Sequence, residues 1–499
     1  MFHRSIRLLA AFWLLLAVST PASASWLRAE SEHFIVYSEG NEAALRRQVL
    51  VLEDYDALLR LLTDVRPDAA SQKLRVYLVR SNGELRQVAR VGTDVGGFYA
   101  SSPRGIAAFV NTNVASEFTG ANEILFHEYA HHLMMQFHSA AYPPWYIEGF
   151  AEYLATARFV DQSVEIGRAS DMRTWFLRNR GEWSPTEWVL FQRNRVEGSR
   201  FYAQSWLLTH YLLGDNTRRE QLVRYLNALA RREEPRAAFR ASFGMDANDM
   251  HDQLQRYATR PLNIVRLDRS SVARPPQIVI TRMPPTADDL MLFHAGMSLG
   301  SKPDAGELAR ARRAARGGDP FARRVLAEAE VFAGDGAAAE QLLTELLAAS
   351  PNDAELLYLR GMRHIVAGRA LQGDERLAQL RLARPWFTRA HRADPGHFPS
   401  LFRYVQTFSA DPNFTSDNNT NAMLLALQLA PQVGEIRLAA GSMLLLRGEY
   451  AEAERLLQPL GSTAHGGPQA VKARTLIQKA IDRTNEGVTV EFDPPEEDD

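Results

Sequence analysis

Leu125-Phe126-His127-Glu128-Tyr129-Ala130-His131-His132-Leu133 carries the sharpest chemical pattern in the chain, His-Glu-x-x-His. Spacing from Gly120 to Phe137 is helical, with Thr119 placed to cap the N-terminus. Residues four apart share one helix face, so the imidazoles of His127 and His131 can close on a single metal ion. Glu128 lies beside them on the open side, where it can hold a water rather than the ion. Zinc bound this way takes a third protein ligand and keeps one position open. The candidate is Glu148, in Pro143-Pro144-Trp145-Tyr146-Ile147-Glu148-Gly149-Phe150-Ala151-Glu152-Tyr153. Pro144 suits the first turn of a second helix running to about Thr156. Gly149 and Ala151 are small enough to let helices approach closely. Glu152, one turn after Glu148, can accept a hydrogen bond from the far nitrogen of a ligand histidine and fix its tautomer.

Around this core, alternation at His33-Phe34-Ile35-Val36-Tyr37 and at Leu74 to Val79 predicts strands, with a helix from Glu42 to Leu62 between them. Gly97 to Ala100 and Gly105 to Val110 read as a hairpin. Further helices are expected near Trp175 and over Tyr202 to Leu213, Arg218 to Ala230 and Asn248 to Tyr257. Residues 25–260 thus form an α+β domain, and 261–285 a proline-containing connector with one or two strands.

The pair of motifs resembles the gluzincin metallopeptidases, thermolysin-like zinc enzymes with two histidines and a distant glutamate. Trp-x-x-Glu-Gly-x-Ala-Glu looks like the third-ligand helix of the peptidase MA-like group. The resemblance spans about Trp26 to Tyr257, and its sharp motifs are His127–His131 and Glu148–Glu152. It implies a thermolysin-like zincin fold, one Zn2+ per chain on His127, His131 and Glu148, and Glu128 as the base in peptide hydrolysis. It also implies an oxyanion donor on a later helix, Tyr202 first and His210 second, and substrate added as a strand near Ile106 to Asn111. The aminopeptidase signature Gly-Ala-Met-Glu-Asn is absent: Ala107-Ala108-Phe109-Val110-Asn111 has no acid. That leans toward an endopeptidase or a specialised hydrolase.

The second half reads as an all-α helical-repeat domain over 286–485. Gly334 to Leu343 and Gly448 to Leu457 both follow Gly-acid-x-Ala-x-Ala-Glu-x-Leu-Leu, and Pro320, Pro351, Pro395 and Pro431 mark unit boundaries. The period resembles tetratricopeptide repeats, with an insertion near Gly368 to Leu382. Such repeats imply a protein partner or recruited substrate. Residues 486–499 read as an acidic disordered tail.

The first 24 residues read as a signal peptide: Arg4 and Arg7, an apolar run from Leu8 to Val18, then Ala22-Ser23-Ala24. Net charge is −2, and loss of both arginines gives −2 − 2 = −4. The expected product is exported, most simply to a bacterial periplasm, with no stable membrane span left and no pull toward nucleic acid. Cysteine is absent, which excludes disulfides, thiolate ligands and a cysteine nucleophile. His132 and His138 read as surface decoration of the helix, and Trp145 and Phe150 as packing residues. Two alternatives to a peptidase stand: a catalytically silent, repeat-based interaction protein, and a zinc hydrolase acting on something other than protein.

Overall fold

The computed structural model describes residues 25–66, 72–93, 95–113, 120–169, 171–178, 183–192, 198–271, 276–463 and 467–492. The signal segment, the Thr119 cap and residues 493–499 lie outside these. The N-terminal region is α/β. Strands β1 (Trp26–Glu30) and β2 (Phe34–Glu39) lead into α1 (Glu42–Thr63), β3 (Leu74–Val79), α2 (Asn82–Val88), β4 (Gly97–Ser102) and β5 (Gly105–Asn111). Next come α3 (Ala121–Phe137), α4 (Pro144–Ala155), a hairpin of β6 (Arg158–Val160) and β7 (Ser163–Ile166), and α5 (Asp171–Arg178). The helices α6 (Thr186–Phe191), α7 (Ser199–Leu213), α8 (Asn216–Ala230), α9 (Pro235–Phe243) and α10 (Ala247–Tyr257) complete this part.

The main sheet is mixed, in the order β4-β5-β3-β2-β1 with β9 (Val279–Arg282) beyond β1. Strand β8 (Val265–Asp268) extends the β6–β7 hairpin. The segment read as a connector is therefore stitched into both sheets. Strand β5 runs parallel to β3 and antiparallel to β4. This corrects the expected substrate edge: Ile106 to Asn111 is an interior strand, and among the described residues the edge on that side is β4. Alternation sends Val76, Ala108 and Val110 to a core shared with α1 and α3, while Tyr77 and Phe109 face α2 and α11 (Ala287–Met297). Both faces are covered, so β5 is buried throughout. On the second face Tyr37, Tyr77, Phe109 and Phe98 stack across four strands with centroids 4.8, 4.8 and 4.9 Å apart. Each such contact adds roughly 0.5–1.5 kcal/mol beyond burial.

After α11 and α12 (Ala305–Ala315), helices come in pairs: α13 (Pro320–Ala333) with α14 (Gly336–Ala349), and α15 (Ala354–Arg369) with α16 (Gly373–Ala393). Two more follow, α17 (Phe398–Gln406) with α18 (Asp417–Leu429), and α19 (Gly434–Leu446) with α20 (Tyr450–Gly461), before α21 (Gly467–Ile481). Pro320 begins α13, and Pro351, Pro395 and Pro431 each precede the first helix of a pair. The extra length of the middle unit is taken up in α16, the longest helix of the set at 21 residues. Close approach within pairs needs small residues: a Cβ on Gly361 would lie 2.6 Å from the Phe387 ring, and one on Gly441 2.6 Å from Leu457. The expected tail is only partly a tail. Val488 and Phe492 are buried, Phe492 packs 5.3 Å from the Phe402 ring, and Arg403 Nη1 donates to its carbonyl at 3.2 Å. Val488 and Phe492, with Lys479 donating to the Glu486 carbonyl and Lys472 paired with Glu491, join residues 486–492 to the repeats.

Candidate metal centre

The site is assembled on α3, α4, α5 and α7. Helix α1 fixes α3 in place. Tyr55 stacks on Phe126 at 3.9 Å and donates to the Phe126 carbonyl at 3.0 Å, and Tyr129 donates to Asp56 Oδ1 at 2.6 Å. Those contacts take the face of α3 opposite His127 and His131 and leave the two imidazoles directed at α4. Gly120 occupies the cap of α3 and supplies no side-chain hydrogen bond. Helix α4 starts at Pro144, as its fixed φ favours, and packs on α7. A Cβ on Gly149 would fall inside contact distance of the Ser205 carbonyl and Thr209 Oγ1. Gly149 thus fixes how near α7 comes to the helix that bears Glu148.

Three ligand-type atoms converge. His127 Nε2 and His131 Nε2 are 3.0 Å apart, and Glu148 Oε2 is 3.6 Å from the first and 3.4 Å from the second. Bonds of about 2.0–2.1 Å to a tetrahedral zinc place ligand atoms about 3.3 Å apart. The triangle matches that ion. Glu148 is 1% exposed, and a carboxylate buried so deeply needs positive charge close by. The donor set, two imidazoles and one carboxylate with no thiolate, suits a hydrolytic zinc site with an open position.

Glu152 lies on the same face, its Oε1 3.3 Å from His127 Nδ1. Arg173 on α5 grips both oxygens of Glu152, at 2.6 and 2.5 Å, and its guanidinium stands 5.3 Å from the Tyr202 ring centroid. Burial would raise the Glu152 pKa, but Arg173 and His127 outweigh it and hold the carboxyl at about 2. Burial likewise opposes charge on His127, yet Glu148 and Glu152 win and raise its pKa to about 10. Glu128 is half-buried, and no hydrogen bond or ion pair joins its carboxylate to another described residue.

Tyr202 is brought to the site, its ring centroid 6.4 Å from that of His127. Burial, then the charges of Glu148 and Glu152, push its hydroxyl above its usual pKa, so it stays a donor. His210 is not brought there. Two turns further along α7 and 1% exposed, it faces the Gly167 carbonyl (Nε2, 3.0 Å) and the Tyr257 hydroxyl (Nδ1, 2.8 Å). His132 is also a correction: it is buried, not surface, with Nδ1 3.0 Å from the Tyr99 hydroxyl and its pKa lowered to about 4, chiefly by burial. Trp145 is fully buried, and Phe150 packs in the same core. Sequence reasoning missed Arg173, which no local pattern announces.

The repeats close one side of this region. The turn between α18 and α19 places the Gln432 carbonyl on Ser101 Oγ of β4 (3.0 Å) and Gln432 Nε2 on Gln136 of α3 (2.7 Å), and Arg437 in the first turn of α19 donates to Ser139 Oγ (2.7 Å). A family described as "Protein of unknown function (DUF1570)" matches residues 123–235, a span that holds all the converging residues from His127 to Tyr202. The chain is similar to the solved structure of TTC0263, a thermophilic TPR protein of Thermus thermophilus, at 21% identity, with 39% of this chain and 93% of that chain covered and a TM-score of 0.29. No curated protein matches the chain.

Proposed function

We propose that this protein is an exported zinc metallopeptidase, with one Zn2+ held by His127, His131 and Glu148. The observation that carries the reading is the triangle of 3.0, 3.4 and 3.6 Å between two imidazole nitrogens and a buried carboxylate oxygen. Zinc there supplies Lewis acidity to a carbonyl and to a water. Glu128, adjacent to a ligand and uncommitted to other described groups, takes the water's proton at its carboxylate and returns it to the leaving amine. The Tyr202 hydroxyl donates to the developing oxyanion. Glu152 accepts from His127 Nδ1–H and so keeps Nε2 as the ligand atom, and Arg173 holds Glu152 in that position. The mixed sheet, with β4 at its edge beside α3, supports reading this region as thermolysin-like, and in that reading β4 is the strand with which an extended peptide pairs.

The test is elemental analysis of the purified chain from Ser25 beside Glu148→Ala. One zinc per wild-type chain, with affinity lowered roughly tenfold or more in the variant, is the expected result. A wild-type chain that holds no zinc after zinc is supplied removes the enzyme reading. Turnover of a quenched peptide library by wild type but not by Glu128→Gln then separates a peptidase from a zinc hydrolase of other substrates.

A further inference from the structure

Where the repeats meet α3, a pocket of about 90 Å3 lies beside His131. Met134 and Ile147 line it from the metal domain, and Gln432, Arg437 and Leu460 from the repeats. Its volume exceeds the roughly 10–15 Å3 that one water needs several-fold, so a carboxylate group fits.

Arg437 is the unusual member. It is 7% exposed, yet its guanidinium donates only to neutral oxygens: Leu456 O and Pro431 O at 2.8 Å each and Ser139 Oγ at 2.7 Å. Those bonds use three of the five N–H groups that an arginine carries. Among the described residues no carboxylate pairs with it. Two less buried arginines do have one: Arg104 pairs with Glu328 at 2.7 Å, and Arg173 with Glu152. A guanidinium stays charged when buried, and an uncompensated buried charge is costly. One further polar atom of a residue lining this pocket, Gln432 Oε1, is buried with no hydrogen-bond partner among the described residues. A cation and an acceptor therefore line one small space beside a metal ligand, with Met134, Ile147 and Leu460 as apolar wall.

We propose that this pocket binds a peptide carboxylate, with Arg437 gripping the carboxylate and Gln432 Oε1 accepting the N–H of the residue that carries it. The inference deepens the peptidase reading and rests on it. From His131 to the end of α3 at Phe137 the helix rises roughly 9 Å, which spans two or three extended residues. A chain end held at Arg437 thus sets the scissile bond a few residues upstream, and the product is a short C-terminal peptide. An acidic side chain offers the same chemistry from within a longer substrate. Either way, the carboxylate-binding groups Arg437 and Gln432 come from the repeats, and the site is complete only in the full chain.

The experiment is equilibrium dialysis of the zinc-loaded full chain carrying Glu128→Gln against three sets of N-acetylated peptides. The sets are free acids without acidic side chains, the same peptides as C-terminal amides, and amides carrying one Glu. Retention of the free acids at least about tenfold above the plain amides, as a charge-assisted contact gives, marks a chain-end carboxylate. Selective retention of the Glu amides marks a side-chain carboxylate. In both cases Arg437→Met abolishes the preference. Should Arg437→Met fail to fold, Gln432→Met is expected to lower retention of the preferred set, because it removes the N–H acceptor. Equal retention of all sets, retention of none, or a preference that survives these substitutions overturns the pocket. Zinc content of the wild-type chain separates the two readings: zinc present without carboxylate preference overturns the pocket alone, and zinc absent overturns the reading beneath it.

Discussion

Glu152 Oε1 lies 3.3 Å from Nδ1 of His127, while Arg173 binds both oxygens of the same carboxylate. The ring nitrogen turned toward Glu148 and His131 is therefore the other one, Nε2. Removing the charge of Glu152 loosens the ring and weakens its basicity. Glu152→Gln is expected to lower zinc affinity roughly 10–100-fold, read by competition with a chelator. Unchanged affinity would show that α3 and α4 alone orient His127.

Tyr202 faces the same centre from α7. Tyr202→Phe keeps the ring under Arg173 and deletes only the hydroxyl. Its expected signature is a fall in kcat of roughly 10²–10³-fold with zinc content unchanged. A variant that turns over at the wild-type rate takes Tyr202 out of the mechanism.

The raised pKa of His127 makes zinc compete with a proton. With the group at about 10 in the metal-free protein, ligation at neutral pH must release that proton, so apparent zinc affinity climbs roughly tenfold per pH unit below that value. The metal-free chain behaves in the opposite sense. A pKa raised in the folded state adds stability that is fully present below the ordinary value of 6.5 and fades as pH rises toward about 10. Calorimetry in buffers of different ionisation enthalpy should report about one proton released per zinc. A flat affinity profile would mean that His127 is already neutral.

Much of this was readable because each signal was local. The i, i+4 histidines, the Pro-Pro break before α4 and the Glu148–Glu152 turn each lie within a dozen residues, and the helix geometry needed to interpret them is fixed by the backbone. Strand β3 and the helix α1 likewise match their alternation and their spacing. What escaped depends on contacts distant in sequence. Strand β1 gains its place by pairing with β2 and, some 250 residues later, with β9. Strand β5 was expected as an edge because a hairpin alone does not say which arm turns outward. Covering by α11 on the second face explains why β5 is apolar without alternation. Arg173 and Arg437 matter only through what tertiary packing sets beside them, and His132 reads as a polar helix position until β4 brings Tyr99 over it.

His210 gives the sharpest contrast between a residue that positions structure and one that does chemistry. Gly167 offers a carbonyl, which can only accept, so Nε2 of His210 carries the proton, and Nδ1 accepts from the Tyr257 hydroxyl. Burial, the largest influence on it, lowers the His210 pKa and keeps the ring neutral, as this pair of bonds requires. His210→Phe preserves the ring contacts with Trp206 and Tyr153 but strands a buried carbonyl and a hydroxyl. The expected cost is about 1–3 kcal/mol of stability, read as a lower denaturant midpoint with an unchanged slope. Zinc stoichiometry, and turnover per zinc-loaded molecule, should match wild type at temperatures where the variant is folded. A variant as stable as wild type but catalytically impaired would return His210 to the reacting groups and require α7 to move when substrate binds.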